Sequence, residues 1–322
     1  MKNSVPYWVL PLWCGKKGNE KSIKCRFIIG YMSPNSKNMI KKTLFLISLL
    51  CISLSGFPQD RSSNDSRSKK FVDHSGRDFT FAILADPQLS GKAHRGKVGV
   101  KAARTLEQAC DEINDMENMP LFTVFLGDLV NTFNEPSVDH FKYRIRNLQS
   151  TPLITHGNHD TPPPYTGFRE LSREINGFDE VYYSFDVGGW HFVALPCRFF
   201  SNTPLTEDVL SWLKKDLRRN AQKPTIVFEH FHLVPLGLSQ LEWYTFDLKL
   251  RKRLMNLLGE NGNVQYYFNG HVHNGIKASV KMRWEYKGVR YITVPTIIQG
   301  RPFGEEYPGF EEGLEQGGYY LL

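Results

Sequence analysis

Cysteine is scarce and unevenly placed. Three of the five, Cys14, Cys25 and Cys51, lie in the first 57 residues, which leaves Cys110 and Cys197 for the remainder. A disulfide-stapled scaffold is thereby excluded. Cys110 falls on a helical pattern and Cys197 follows a strand, so buried free thiols are expected rather than a bridge. Long apolar runs are lacking too. The stretch Leu44–Leu54 is eleven residues, where a membrane span needs roughly 20, so no stable span is expected. Acid is missing from one end only: residues 1–57 hold nine Lys and Arg against the single acid Glu20. Of 40 basic and 33 acidic residues, that leaves 31 and 32 for the rest, a net −1. The formal charge of +7 thus belongs to the leading segment, and a basic groove for nucleic acid is not expected. Repeats and low-complexity tracts are absent as well. A content of 41% hydrophobic and 23% charged residues excludes a disordered chain.

What the sequence does carry begins with a layout for export. Lys41-Lys42 precede the apolar run, and Ser53-Leu54-Ser55 follows it as a small-x-small pattern. This is the arrangement of a signal peptide starting near Met39, and it implies a secreted or periplasmic product. Leu50 before Cys51 is bulkier than a lipidation site wants, which disfavours a lipid anchor. The residues ahead of Met39 show no clear helical or strand period. We therefore divide the chain into a targeting region (1–57), a polar Ser-, Asp- and Arg-rich linker (58–76) and one domain (77–322).

Within that domain strand-like and helix-like segments alternate. Phe79–Ala85, Phe122–Leu126, Pro152–Thr155, Thr225–Phe228 and Val264–Phe268 read as short buried strands. Helical spacing covers Val98–Met116, Val138–Leu148, Thr206–Asn220 and Leu248–Leu258. Val181–Pro196 and Trp284–Pro295 read as hairpins, turning at Gly188-Gly189 and Lys287-Gly288. Alternation of this kind predicts an α/β domain. The hairpins call for mixed sheets, or two packed sheets, rather than one parallel sheet.

Open α/β sheets place their sites at the carboxyl ends of strands, and here those ends are uniformly polar. After the strands come Asp86-Pro87-Gln88, Gly127-Asp128, Gly157-Asn158-His159-Asp160, His230 and Gly270-His271-Val272-His273. Each block offers an oxygen or nitrogen donor to a metal. Two hydrolytic metals sit about 3.5–4 Å apart, and one carboxylate can bridge them; Asp128 is the bridging candidate. Asp86 with Gln88, and His271 with His273, are two residues apart and can serve one cavity from an extended backbone. Two divalent ions with Asp86 and Asp128 leave a surplus of about +2, suited to a phosphate and a hydroxide. Water whose pKa is lowered towards ~7 is the expected nucleophile. His159 is the candidate acid for the leaving oxygen, because imidazole titrates near neutral pH.

Those blocks, in that order, resemble the calcineurin-like metallophosphoesterase superfamily, whose pattern is D-x-H, G-D, G-N-H-D/E, H and G-H-x-H. The resemblance spans about Phe79 to Val294. GNHD and GHVH, each after a strand, are its specific parts. It implies two mixed sheets packed face to face between outer helices, a four-layer sandwich. It implies one metal on Asp86, Gln88, Asp128 and His273, and a second on Asp128, Asn158, His230 and His271, with His159 as catalytic acid. The substrate implied is a small-molecule or macromolecular phosphate ester; oligomeric state has no signal in the chain. Two positions depart from the common pattern. Gln88 stands where His is usual, and the harder oxygen donor moves metal preference within Mn²⁺, Fe²⁺, Mg²⁺ and Zn²⁺ towards Mn²⁺ or Mg²⁺, Mn²⁺ being favoured. Asn131 stands where many relatives have an Asp that orients the histidine, a duty Asp160 is expected to share.

Blander readings compete at single positions. Asp86 before Pro87 suits an ordinary turn, and His232 rivals His230, which follows its strand more directly. His74, His156 and His191 read as structural or solvated. Arg301 reads as an ion-pair residue before an anion contact. Phe199-Phe200 and Trp243-Tyr244 are placed either to stack on a leaving group or to fill the core. Two other function classes stay open: a metal-binding interaction protein without turnover, and a two-metal nuclease, which the net charge of the domain disfavours.

Overall fold

Three apolar segments too short for a helix, Phe81–Leu84 (β3), Phe122–Leu126 (β4) and Thr151–Thr155 (β5), pair in parallel. In β3 and β4 every residue is buried, which is why they read as continuous hydrophobic runs rather than alternating ones. They belong to a computed structural model that describes residues 9–12, 25–31, 79–91, 97–160, 166–178, 180–197, 207–233, 248–273, 283–298 and 318–321. Gly318–Leu321 (β12) lies antiparallel beside β3. Beyond it come Cys25–Tyr31 (β2) and Val9–Leu12 (β1), giving the order β1-β2-β12-β3-β4-β5. β1 and β2 form at one end of this sheet, in the stretch ahead of Met39 where the sequence shows no clear strand period.

The second sheet has the order β10-β11-β9-β8-β7-β6. Its hairpins are Tyr183–Val187 (β6) with Trp190–Ala194 (β7), and Arg283–Tyr286 (β10) with Val289–Thr293 (β11). Both turn at the expected glycines, which sit at positive φ. Between them Thr225–Phe228 (β8) and Val264–Asn269 (β9) run parallel to β7 and β11.

The two sheets face each other across an aromatic core. Phe81 and Ile83 of β3 and Phe122 and Val124 of β4 meet Phe185, Phe192, Phe228 and Phe268. The Phe81 and Phe122 rings stack at 5.0 Å, and Phe192 stands edge-on to Phe122 at 5.3 Å. Burial of one such ring contributes roughly 1.5–3 kcal/mol. The alternate residues, Ala82, Leu84 and Phe125, pack outward on Lys97–Asn114 (α1), Glu135–Ile145 (α2) and Thr166–Ile175 (α3). On the far side Val193, Val227 and Tyr267 pack on Glu207–Arg219 (α4) and Leu248–Glu260 (α5). Helix, sheet, sheet, helix is the expected four-layer order.

Some elements differ from expectation. α2 starts at Glu135, three residues before Val138, because Asn134 caps it by accepting from Ser137 N at 3.0 Å. α3 was not anticipated: its apolar face rests on Phe168, Leu171 and Ile175, and it follows a run of three prolines that reads as loop. Cys110 and Cys197 are buried free thiols. No described helix is long and apolar enough to cross a membrane. Thr206, the first residue of the helical span Thr206–Asn220, lies outside the described residues, as do His74, Phe199-Phe200, Trp243-Tyr244, Arg301, the linker and the apolar run Leu44–Leu54.

Candidate metal centre

β3, β4 and β5 run parallel in one sheet and β8 and β9 in the other, and the residues just past their carboxyl ends gather at one pole. His271 N donates to Asp86 Oδ1 at 3.1 Å, bonding the end of β9 to the end of β3. His159 N donates to Asp128 Oδ1 at 2.8 Å, and Gln88 Nε2 donates to Asp128 Oδ2 at 3.1 Å. The donor atoms fall into two groups, Asp128 with His230 and His271, and Asp86 with Asp128 and His273, each within 4.8 Å. Asp128 belongs to both. Asn158 joins the first group, its Oδ1 lying 3.1 Å from His230 Nε2. All the residues singled out as ligands are therefore at this pole, with His230 Nε2 lying 3.3 Å from the shared carboxylate.

The backbone is bent to present these groups. Asp86, Gln88, Asp128, His271 and His273 all have φ between 42° and 71°, the left-handed region that non-glycine residues avoid. Strain of this kind costs on the order of 1–3 kcal/mol per residue and persists where surroundings over-determine it. Glycine lets the turns close up. A Cβ on Gly157 would lie 1.9 Å from Asp128 N. One on Gly127, at φ +72°, would lie 2.6 Å from His230 Nδ1.

Charge explains why so many polar groups are tolerated here. Asp86 and His230 are fully buried and Asp128 nearly so. Burial alone would raise the Asp128 pKa, but His230, His159 and His271 outweigh it and hold the carboxyl well below the usual range. Burial likewise opposes charge on His230, and Asp128 and Asp86 outweigh it, pushing the ring up to about 10. The ring of His273 is raised by Asp86 against its own burial. His271 goes the other way, lowered by burial and by His230 and His232. Carboxylates, an amide oxygen and imidazoles converge at one pole, and a proton on His230 stands where a cation's charge would serve. His230 Nδ1 is 2.9 Å from Leu126 O, so that nitrogen carries hydrogen and Nε2 is left for the cavity, as in metal-ligating histidines. The donor set fits divalent metal.

His159 differs from the rest, its side chain being 39% exposed where His230 is 0%. Its Nδ1 lies 2.8 Å from Asn131 O, and its Nε2 lies 3.9 Å from Asp128 Oδ2. The orienting duty expected of Asp160 therefore goes to a main-chain carbonyl. Asp160 is turned inward, where it accepts from Gly157 N at 3.0 Å and Val130 N at 3.2 Å. Burial and the nearby Asp128 push its carboxyl up to about 8, so it acts as a brace for the Gly157–Asp160 turn. His156 is a buried structural histidine, its Nδ1 3.5 Å from Cys197 Sγ.

Two buried residues at this pole escaped the sequence reading. Glu229 precedes His230 and is fully buried. Thr296 donates Oγ1 to Asp86 O at 3.3 Å. Its signal was present, since β11 is parallel to β9 and its carboxyl end faces the same pole.

The sequence profile of the calcineurin-like phosphoesterase family matches residues 79–275, which contain every residue of the two donor groups. The chain belongs to that family. Relatives of the chain are named as phosphodiesterase and phosphatase, and the chain is a hydrolase of phosphoric ester bonds. A serine/threonine-protein phosphatase of Bos taurus is 30% identical over 224 residues, covering 61% of this chain and 69% of that protein. A 3′,5′-cyclic adenosine monophosphate phosphodiesterase of Escherichia coli is 23% identical over 223 residues, 68% of this chain and 76% of that protein. Among solved structures, a dimetal phosphatase from Danio rerio superposes with a TM-score of 0.53 at 17% identity, covering 68% of this chain and 88% of its own. That likeness supports the four-layer fold.

Proposed function

We propose that this calcineurin-like phosphoesterase works through two metal ions, with His159 as the general acid. The observation that carries the reading is that one carboxylate, Asp128, is common to both donor groups. Asp86, Gln88, Asp128 and His273 would hold one ion, and Asp128, Asn158, His230 and His271 the other. A half-turn of the Gln88 amide exchanges its Nε2 for Oε1 as the atom facing the cavity. With one amide oxygen in each set, Mn²⁺ is the favoured ion. Bound ions supply water of lowered pKa and offset the negative charge on the phosphoryl oxygens.

The chain's own groups do the rest. Asp128 Oδ1 is held by His159 N–H, so that oxygen is fixed before substrate arrives. With Nδ1–H committed to Asn131 O, Nε2 is the His159 nitrogen left to pass a proton to the leaving oxygen. Its exposure lets a leaving oxygen reach it. The apolar run Leu44–Leu54 with its basic flank supports export, for which the N-terminus of the secreted protein is the measurement.

The test is metal content together with hydrolysis of a phosphomonoester, a phosphodiester, a cyclic nucleotide, a phosphopeptide and single-stranded DNA. Asp128→Asn is expected to lose both metal and turnover. His159→Ala is expected to keep metal and turn over slowly. Bound metal with no hydrolysis would favour an interaction protein, and cleavage of DNA alone a nuclease.

A further inference from the structure

At the pole opposite the metal centre a second histidine is enclosed by acids. His191 is the second residue of β7, beside Thr225 at the start of β8, whereas His230 lies past that strand's other end. Its ring is 3% exposed. Nδ1 lies 2.7 Å from Asp186 Oδ1 on β6, and Nε2 lies 2.7 Å from Asp216 Oδ2 on α4. Both neighbours are acceptors. A neutral imidazole has one N–H, so one nitrogen would press its lone pair on a carboxylate oxygen at that distance. Only the imidazolium satisfies both contacts.

We infer that His191 is a charged clamp that fastens α4 to the β6–β7 hairpin and lets go when alkaline conditions remove its proton. Among the described residues, the groups facing it come from β6, α4 and the turn after α4. From β6, Ser184 Oγ donates to the other oxygen of Asp216 at 3.0 Å. From the turn after α4, Lys223 Nζ donates to Asp186 Oδ2 at 2.7 Å and to Asn220 Oδ1 at 2.9 Å. Asn220 Nδ2 is 3.4 Å from the ring and donates to Asp216 O at 3.1 Å. Lys215 and Arg219 share a 270 Å³ cavity with Asp216 and Trp212. Two carboxylates, the imidazolium and Lys223 form a neutral set; loss of the ring proton leaves it one charge short.

The electrostatics agree. Burial opposes charge on the ring, but Asp186 and Asp216 outweigh it and raise its pKa above the ordinary value. A histidine raised in the folded state contributes stability in full below about 6.5, lost as pH climbs through the raised value. One proton taken up in the clamped form alone makes opening up to ~tenfold easier per pH unit.

The experiment uses the full chain with ¹⁵N-labelled histidine. Both His191 ring nitrogens are expected to be protonated at pH 7 in long-range ¹H–¹⁵N spectra. Amide exchange in the last turn of α4, divided by its intrinsic rate, should rise up to ~tenfold per pH unit once the ring titrates. Asp186→Asn should move that rise to lower pH. Lys223→Gln, which leaves both ring contacts in place, should move it to higher pH. A bare ring nitrogen at pH 7, or exchange profiles that coincide in all three proteins, would overturn the inference.

Discussion

Replacing Glu229 by Gln is expected to stabilise the protein at neutral pH relative to acid. Tyr267 Oη lies 2.6 Å from Glu229 Oε2 and 2.9 Å from Phe231 O. One hydroxyl hydrogen faces two acceptors, and a Glu229 carboxyl in its acid form relieves this by donating to Tyr267 Oη while Tyr267 donates to Phe231 O. Burial points the same way, pushing Glu229 up to about 8 against the hydrogen bonds it receives. A carboxyl raised on folding supports the fold fully below its ordinary value, and that support drains away as pH rises towards 8. The loss is about 1.4 kcal/mol per pH unit, or roughly 3–4 kcal/mol between about pH 5 and pH 8. Gln keeps the geometry, its amide N–H donating to Tyr267 while Tyr267 donates to Phe231, and it has no proton to lose. The assay is urea unfolding of metal-free protein at several pH values, comparing wild type with Glu229→Gln. The difference between the two should grow with pH by the stated amount. Parallel curves would refute the protonated carboxyl.

Other expectations bear on the metal pole and the core. His159→Ala should lower turnover by about 10²–10⁴-fold without changing metal content, and loss of metal would show that the residue shapes the site instead. Gly157→Ala should abolish metal uptake, because the new methyl would fall on Asp128 N; full loading of that variant would contradict the packing. Gln88→His should shift preference from Mn²⁺ towards Zn²⁺, read by competition, and an unchanged order would contradict the amide's role as a ligand. Phe122→Ala removes a ring stacked between the sheets and should cost about 3–5 kcal/mol of unfolding free energy.

Much of the fold and site is legible in the residues because strand ends and donors coincide. Gly157-Asn158-His159-Asp160 and Gly270-His271-Val272-His273 follow β5 and β9 directly, so alternation and chemistry locate the same pole. What escaped has physical causes. α3 shows an apolar period over only ten residues behind a proline run. The brace formed by Asp160 and the carbonyl that holds His159 are main-chain matters, and a backbone oxygen such as Asn131 O has no letter in the sequence. Glu229 escaped because a buried acid reads as surface until packing covers it. The clamp at His191 joins three elements from positions 186, 191 and 216, a convergence only tertiary structure displays.

The left-handed backbone at Asp86 and Asp128 bears on how such a protein falls silent. That conformation suits a short polar side chain that bonds locally, and asparagine meets the requirement as well as aspartate does. A one-base change from aspartate to asparagine would thus remove the charge that the proposed metal pair requires while leaving the chain able to fold. Shape and charge are thus separable at these two positions, and a folded protein that no longer takes up metal is the expected sign of the exchange.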